Sequence, residues 1–406
     1  MFVVGWSTPP VDGCAALPTA HNRHTLALPT SPKVIAMIGW NALVLLAVST
    51  AAPAPAALAT PLAPAVPTPE QVMALPPEAR ALLQEQVVRA TNSPEQRLQK
   101  LVELVFRPEG AGLALEYDTE ATLTVAETWQ QRRANCLSFT LLFVALAREA
   151  GLDARMQEVG QVVTWYEDQG LIFNAGHVNV GMRMHGRQAT LDLDSNVLYD
   201  RRGPQPISDR RALAHFYNNR GAEHLAAHDE VAARSYLEAA LRMDPRFVAA
   251  WSNLGVLESR GNDLTAAARD LETALRINQV HAPALHNATK LYQRMGNGAR
   301  VAQLQDRLQR TQKRDPFYQF MQGTQAEKRA DYALAIHYYR QAVQLYDRAH
   351  QFHFGLARSY FLIGNNRLAE REMARARDLG GSERWRSVYQ SKLDGIRRLE
   401  ARHVAR

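Results

Sequence analysis

The sequence predicts two folded parts in series, an α+β domain over residues 70–200 and an all-α solenoid over residues 214–381. From Ala214 onward, the pattern of small and apolar residues returns every 34 residues, a period typical of stacked helical hairpins. Upstream, an apolar helix near Cys136 precedes segments that alternate between apolar and polar residues, as β-strands do. The composition, 46% hydrophobic and 21% charged, is that of a globular protein with hydrophobic cores.

Residues 1–59 have the pattern of an export leader. An apolar stretch at residues 34–52 follows Lys33, and the small-residue sequence Ala57-Leu58-Ala59 comes after it. This is the order of a signal peptide, and the apolar core is short for a membrane span. We therefore expect an exported protein of the periplasm or cell envelope, held at a membrane only if the leader is uncleaved. Residues 60–69 then form a Pro/Ala-rich linker.

The composition also limits the partners and cofactors. The net charge of +7 comes without a long block of like charges or a nucleic-acid motif, so we predict no nucleic-acid partner. Of the two cysteines, Cys14 lies upstream of the leader core, which leaves Cys136 as the thiol of a processed chain. A lone cysteine forms neither an intramolecular disulfide nor a cysteine-cluster metal site. HExxH and CxxC are absent, and we predict no metal and no cofactor. The sequence carries no indication of an oligomeric state.

Cys136 stands at the start of a helix in the sequence pattern. Asn135 is a suitable N-cap, the following residues are apolar on most faces, and Gly151 ends the helix. Unpaired N–H groups and the helix dipole stabilise a thiolate in the first turn. Cys136 is therefore a candidate nucleophile rather than only a small core residue.

A histidine and two aspartates follow on a predicted β-hairpin. The first strand begins at His177, the dipeptide His185-Gly186 fits a two-residue turn, and the second strand carries Asp192 and Asp194. Alternate residues of a strand share a face, so His177 falls opposite or diagonal to these carboxylates. A histidine that takes the thiol proton and an aspartate that orients it are what a thiol nucleophile requires.

At these residues the sequence resembles the transglutaminase-like superfamily, relatives of the papain-type cysteine proteases, in Cys–His–Asp order over residues 124–195. The family spacing favours Asp192, whereas hairpin pairing about the turn places Asp194 directly opposite His177. Both remain candidates. The resemblance implies attack of Cys136 on a peptide-like amide, a thioester, and transfer of the acyl group to water or an amine. The backbone N–H of Cys136 and the side chain of Gln131 are candidates for the oxyanion hole.

The repeats begin at Ala214 and at four later positions, each 34 residues after the one before: Val248, Ala282, Pro316 and His350. Their pattern is similar to that of the tetratricopeptide repeat, or TPR. Small residues at positions 8 and 20 of each repeat allow the paired helices to approach closely. Residues 201–213 are the predicted linker, and residues 382–406 are the predicted capping helix and tail. The predicted fold class is thus an α+β papain/transglutaminase-like domain plus an all-α TPR solenoid.

Position 6 of the first three repeats is asparagine: Asn219, Asn253 and Asn287. In TPR proteins this position faces the concave groove, so the resemblance implies bonding to the backbone of an extended peptide. The first functional hypothesis is an exported cysteine hydrolase or acyl-transferase whose groove docks a peptide or protein partner. The alternative is a non-catalytic TPR scaffold in which the transglutaminase-like module is inactive.

Overall fold

A computed structural model of the chain describes residues 3–7, 65–107, 112–118, 122–159, 165–168, 171–174, 177–193, 203–381 and 383–404. The predicted leader core at residues 34–52 and the candidate Asp194 lie outside these ranges. Over the ranges described, no helix combines the length and the apolar character needed to cross a membrane.

Five α-helices lie in the described residues before residue 150: α1 Pro69–Met73, α2 Pro77–Leu83, α3 Pro94–Phe106, α4 Val125–Gln131 and α5 Cys136–Glu149. The chain continues from α2 into a π-helical turn, Gln84–Val88. Proline opens α1, α2 and α3, where its missing N–H and fixed φ cost the helix little. Side-chain caps add to this at three starts: Thr68 for α1, Ser93 for α3 and Thr124 for α4.

The strands are β1 Val3–Ser7, β2 Glu116–Tyr117, β3 Arg133–Ala134, β4 Ala154–Val159, β5 Trp165–Asp168, β6 Leu171–Asn174, β7 His177–Met184, β8 Arg187–Asp192 and β9 Gln205–Pro206. Five of them form one antiparallel sheet in the order β1-β8-β7-β4-β9. A short parallel pair joins β2 to β3, and β5 pairs with β6. Helix α5 packs on β4 and β7, at the centre of the sheet.

The hairpin predicted at His185-Gly186 is confirmed. Met184 pairs with Arg187, which leaves a two-residue loop. Both loop residues have positive φ, 48° for His185 and 75° for Gly186. This is the conformation that a tight turn requires to match the strand twist. The same register brings the end of β8 back to the start of β7.

Ten helices form the solenoid: α6 Asp209–Ala226, α7 Glu230–Met243, α8 Val248–Arg260, α9 Leu264–Ile277, α10 Ala282–Arg294, α11 Gly298–Lys313, α12 Pro316–Lys328, α13 Tyr332–Leu345, α14 His350–Leu362 and α15 Asn366–Leu379. They pair consecutively into five hairpins, and α16, Glu383–Val404, covers the last one. Four predicted repeat starts coincide with the first residues of α8, α10, α12 and α14. The predicted period is therefore correct in phase as well as in length.

Close helix pairing depends on the small residues, as predicted. A Cβ atom added to Gly255 would lie 2.5 Å from Leu271 Cγ on the paired helix, closer than real Cβ contacts. The third repeat departs from this pattern, because Val301 takes the place of the small residue at position 20. Leu304 is the one buried residue of α11, a helix whose residues are all described. The pairing of α10 with α11 is accordingly the least enclosed of the hairpins whose helices the structure describes.

The two folded parts share a hydrophobic core. One continuous cluster of buried residues runs from Val72 in α1, through α5 and the sheet, to Leu257 in α8. Within residues 201–213, expected from the sequence to be a linker, β9 pairs with β4 and α6 begins at Asp209. The first repeat is thus packed directly against the α+β domain.

Candidate functional site

Cys136 is the first residue of α5, and Asn135 is its N-cap as predicted. The Asn135 Oδ1 atom accepts a hydrogen bond from the Ser138 backbone N–H at 2.8 Å. The N–H groups of the first turn have no carbonyl one turn earlier to bond. They therefore face the space beside the Cys136 side chain, which is partly exposed. The thiol lies where helix N–H groups favour negative charge.

His177, at the start of β7, lies between the thiol and a carboxylate. Its Nε2 atom is 2.6 Å from Asp192 Oδ2, and both side chains are buried. The same carboxylate oxygen accepts a hydrogen bond from Asn179 Nδ2 at 3.0 Å. The Cys136 side chain also interacts with His177 and helps to raise the pKa of its imidazole. Since Nε2 faces Asp192, Nδ1 is the nitrogen left to exchange a proton with the thiol.

The electrostatics of this pair favour a charged imidazole. Burial alone would lower the pKa of His177. Hydrogen bonds to Asp192 and Cys136, together with the negative charges of both, outweigh burial and raise the pKa to about 10. His177 is therefore protonated when it lies next to a thiolate, which is the resting state of many thiol nucleophiles.

Thr140, one turn into α5, ties the helix to the histidine strand. Its hydroxyl donates to the Cys136 carbonyl at 2.7 Å and lies 3.3 Å from the carbonyl of Val178 on β7. Neither contact is visible in the sequence pattern. Asn179 was also missed, although its position two residues after His177 places it on the same face of β7.

The other candidates occupy different places. Gln131 ends α4 with an exposed side chain, and its Oε1 atom accepts from Arg133 Nε at 3.0 Å. Its part in an oxyanion hole stays a prediction. The two asparagines Asn253 and Asn287 use their amide nitrogens between repeats, donating to Asn218 Oδ1 at 3.0 Å and to Ser252 Oγ at 3.2 Å.

Asn219, the first of the three asparagines, is half-buried on α6, and Asn218 Nδ2 lies 3.5 Å from its Oδ1. The Oδ1 atom of Asn287 is buried and has no hydrogen-bond donor among the described residues. Over the described residues, no three His, Cys, Asp or Glu side chains group as a metal ligand set.

Charged side chains join the first repeat to the α+β domain, and the sequence did not predict them. Arg211 on α6 donates two hydrogen bonds to Glu158 on β4, each at 3.1 Å, and one to Asp244 at 2.6 Å. His215 Nε2 lies 3.2 Å from the same Glu158 carboxylate. Arg148 on α5 makes a bidentate pair with Asp209, at 2.7 and 2.9 Å. These contacts hold the first repeat against the domain that carries the site.

Comparison with known proteins supports both parts. Residues 81–181 match the transglutaminase-like superfamily, and residues 218–281 and 320–383 match the tetratricopeptide repeat. The matches follow one another in the predicted order. A comparison with curated proteins found no match.

Similar solved structures each cover less than half of this chain. PilF of Pseudomonas aeruginosa is 16% identical, covers 46% of this chain and 88% of its own, and has a TM-score of 0.26. A thermophilic TPR protein of Thermus thermophilus is 18% identical over 44% of this chain and 98% of its own, with a TM-score of 0.25. YrrB, described as a TPR protein with an unusual peptide-binding site, is 14% identical over 44% and 92%, with a TM-score of 0.24.

The structure and the family matches therefore agree on the same two parts. The sheet and the Cys136 helix form the α+β part, and five helical hairpins form the array that follows it. The chain carries a transglutaminase-like domain followed by tetratricopeptide repeats.

Proposed function

We propose that this protein is a cysteine hydrolase or acyl-transferase that acts on peptide-like amides through a thioester on Cys136. The observation that carries the proposal is the buried contact of His177 Nε2 with Asp192 Oδ2 at 2.6 Å, together with the interaction between His177 and the Cys136 side chain. A buried imidazole held in this way accepts the thiol proton and keeps the resulting charge.

In the first half-reaction, the Cys136 thiolate attacks the carbonyl carbon of the amide, and the amide C–N bond then breaks. The imidazolium of His177 gives its proton to the leaving amine. The N–H groups at the start of α5 stabilise the negative oxygen of the tetrahedral intermediate. In the second half-reaction, water or an amine attacks the thioester with His177 as general base, and the thiolate is restored.

The array is proposed to dock a peptide or protein partner, since tetratricopeptide repeats are in general protein-interaction modules with extended concave surfaces. Two array helices touch elements of the site. Helix α6 bonds to the loop before α4 through Glu223 and Thr122, and α10, which carries Asn287, contacts β6. β6 lies directly before the strand that begins at His177. A segment bound along these helices would therefore lie near the loop before α4 and near β6.

The leader pattern at residues 34–52 supports export, so we place this chemistry in the periplasm or cell envelope. Subcellular fractionation of cells that express a C-terminally tagged chain tests this location. Recovery of the tag from the cytoplasmic fraction alone would contradict it.

The catalytic proposal is tested by the rate of Cys136 alkylation with iodoacetamide at neutral pH, followed on the Cys136 peptide by mass spectrometry. The reference is the same thiol in the urea-denatured chain. We expect the folded protein to react at least about tenfold faster, because only about a few per cent of an ordinary thiol is ionised at that pH. Replacing His177 by Ala should remove the advantage. A folded rate no higher than the denatured rate would instead favour the inactive-scaffold alternative.

Groove binding is tested with a synthetic library of extended peptides, comparing the peptides retained by the wild type and by Asn287→Ala. The matched control is Asn278→Ala, whose side chain caps a loop between α9 and α10 by accepting from Val280 N at 3.0 Å. We expect retention to fall for Asn287→Ala and to persist for Asn278→Ala. Equal retention by both variants would contradict peptide contact at Asn287.

A further inference from the structure

The loop before α4 makes hydrogen bonds on two sides. On one side, the Thr122 N–H donates to Glu223 Oε1 on α6 at 2.9 Å, across 101 residues of sequence. On the other, Thr122 Oγ1 accepts from Asn135 Nδ2 at 3.1 Å. The next residue, Leu123, donates its N–H to Ser138 Oγ at 2.8 Å. Thr122 and Leu123 are both buried, so neither contact competes freely with water.

The second side of this loop holds the start of the nucleophile helix. Asn135 is the N-cap of α5, and its amide is held at both ends: Oδ1 by Ser138 N at 2.8 Å and Nδ2 by Thr122 Oγ1. The orientation of this amide sets the direction of the first-turn N–H groups, which in turn face the Cys136 side chain. A displacement of Thr122 therefore moves the environment of the thiolate.

We infer that Glu223, a residue of the first tetratricopeptide helix, is a positioning residue for the Cys136 nucleophile, acting through Thr122 and Asn135. The inference rests on the proposed function, because positioning has a chemical consequence only if Cys136 is the nucleophile. It assigns the array a second task besides docking: its first helix completes the scaffold of the site.

The surroundings of Glu223 agree with this. Burial raises the pKa of Glu223 above its ordinary value, although its hydrogen bond to Thr122 and the charges of Arg220 and His224 oppose this rise. Arg220 Nη1 lies 3.4 Å from Glu223 Oε2 and 3.5 Å from the Thr122 carbonyl. The carboxylate is thus held in place by Arg220 while its other oxygen bonds the loop. A carboxylate used only for solubility would have neither the burial nor these partners.

The test is the pH profile of Cys136 alkylation by iodoacetamide in the full-length protein. For Glu223→Ala we expect a rate about tenfold lower at neutral pH, the effect of losing one hydrogen bond to a charged group, and a profile moved toward the ordinary thiol range. Glu223→Gln should restore most of the rate, because its Oε1 atom can still accept from Thr122 N. A purely structural loss would lower the amount of folded protein without moving the profile of the folded fraction.

Two further variants complete the design. Thr122→Val keeps the shape of the side chain and the backbone N–H but removes the acceptor for Asn135 Nδ2, so it should slow alkylation as well. If Glu223→Ala does not fold, Thr122→Val still tests whether the loop positions Cys136. The matched control is Glu258→Ala, which loses a partly buried carboxylate that bonds Arg234 within the array at 3.0 Å. We expect Glu258→Ala to keep the wild-type rate and profile.

The outcomes separate the two proposals. A wild-type rate no higher than that of the denatured chain overturns the proposed function itself. A fast wild-type rate that both Glu223→Ala and Thr122→Val retain, with an unmoved profile, overturns the positioning role and leaves the proposed function standing. A slow Glu223→Ala that Glu223→Gln does not restore also overturns the role, because the acceptor would then not be what matters.

Discussion

Replacing Asp192 by Asn removes the charge from the carboxylate while keeping its size. Asp192 Oδ2 lies 2.6 Å from His177 Nε2, and the two residues are only 3% and 4% exposed, so solvent screens the pair weakly. A hydrogen bond to a charged partner contributes about 1.5–3 kcal/mol, against about 1 kcal/mol for a neutral one. The difference of about 0.5–2 kcal/mol corresponds to about 0.4–1.5 pKa units at His177, before the lost Coulomb attraction is counted.

Two measurements follow this change. The midpoint of the pH profile of Cys136 alkylation should rise by about one unit, because the thiolate forms together with the imidazolium. The second measurement is the free energy of unfolding in urea at pH values below and above neutrality. The folded-state pKa of His177, about 10, is above its ordinary value of 6.5. Its stabilisation is therefore complete below pH 6.5 and is lost as the pH rises toward about 10.

The Asn variant should lose the part of this decline that Asp192 contributes and keep the part due to Cys136. Asp153→Asn is the control, because Asp153 pairs with Arg183 on the same sheet at 3.0 Å but is exposed and remote from His177 in the register of β7. The reasoning is refuted if Asp192→Asn keeps both the alkylation midpoint and the wild-type dependence of unfolding on pH.

Two more predictions concern stability measured by urea denaturation. Gly255→Ala should destabilise by about 1–3 kcal/mol, because its Cβ would lie 2.5 Å from a side-chain carbon of the paired helix. Gly298→Ala, with open space around the added Cβ, should stabilise by about 0.4–1 kcal/mol, and equal effects at the two sites would contradict the packing argument. Burial alone would raise the pKa of Glu158, but hydrogen bonds and charges of His215 and Arg211 lower it to about 2. Glu158→Gln should therefore cost roughly 3 kcal/mol above pH 4.5 and progressively less as the pH falls toward about 2, and a cost independent of pH would argue against the pairing.

Much of the fold could be predicted because it depends on local sequence patterns. The 34-residue period places the starts of α8, α10, α12 and α14 correctly, since each hairpin obeys the same packing rule. The N-cap Asn135 and the His185-Gly186 turn depend only on neighbouring residues and were likewise predicted.

Contacts between distant segments could not be predicted from such patterns. The bond from Thr122 N to Glu223 joins two residues of ordinary composition, and no spacing rule relates them. The same is true of β9. Its two residues are too few to show a strand periodicity, so the sequence predicts a linker there. For the aspartate, strand pairing alone puts Asp194 opposite His177, yet the carboxylate of Asp192 reaches His177 diagonally. Diagonal reach depends on sheet twist and rotamer, which the sequence does not display.

The shared core has a consequence for biosynthesis. The cluster that encloses the Cys136 helix also contains Leu257, more than a hundred residues further along the chain. Domains generally fold as units while the ribosome adds about 5–20 residues per second. A nascent chain that ends before α8 lacks part of the hydrophobic core that the Cys136 helix shares with the array. We expect the thiol to remain an ordinary cysteine until the first repeats have been synthesised, so that reactivity is acquired late, when the array is already being built.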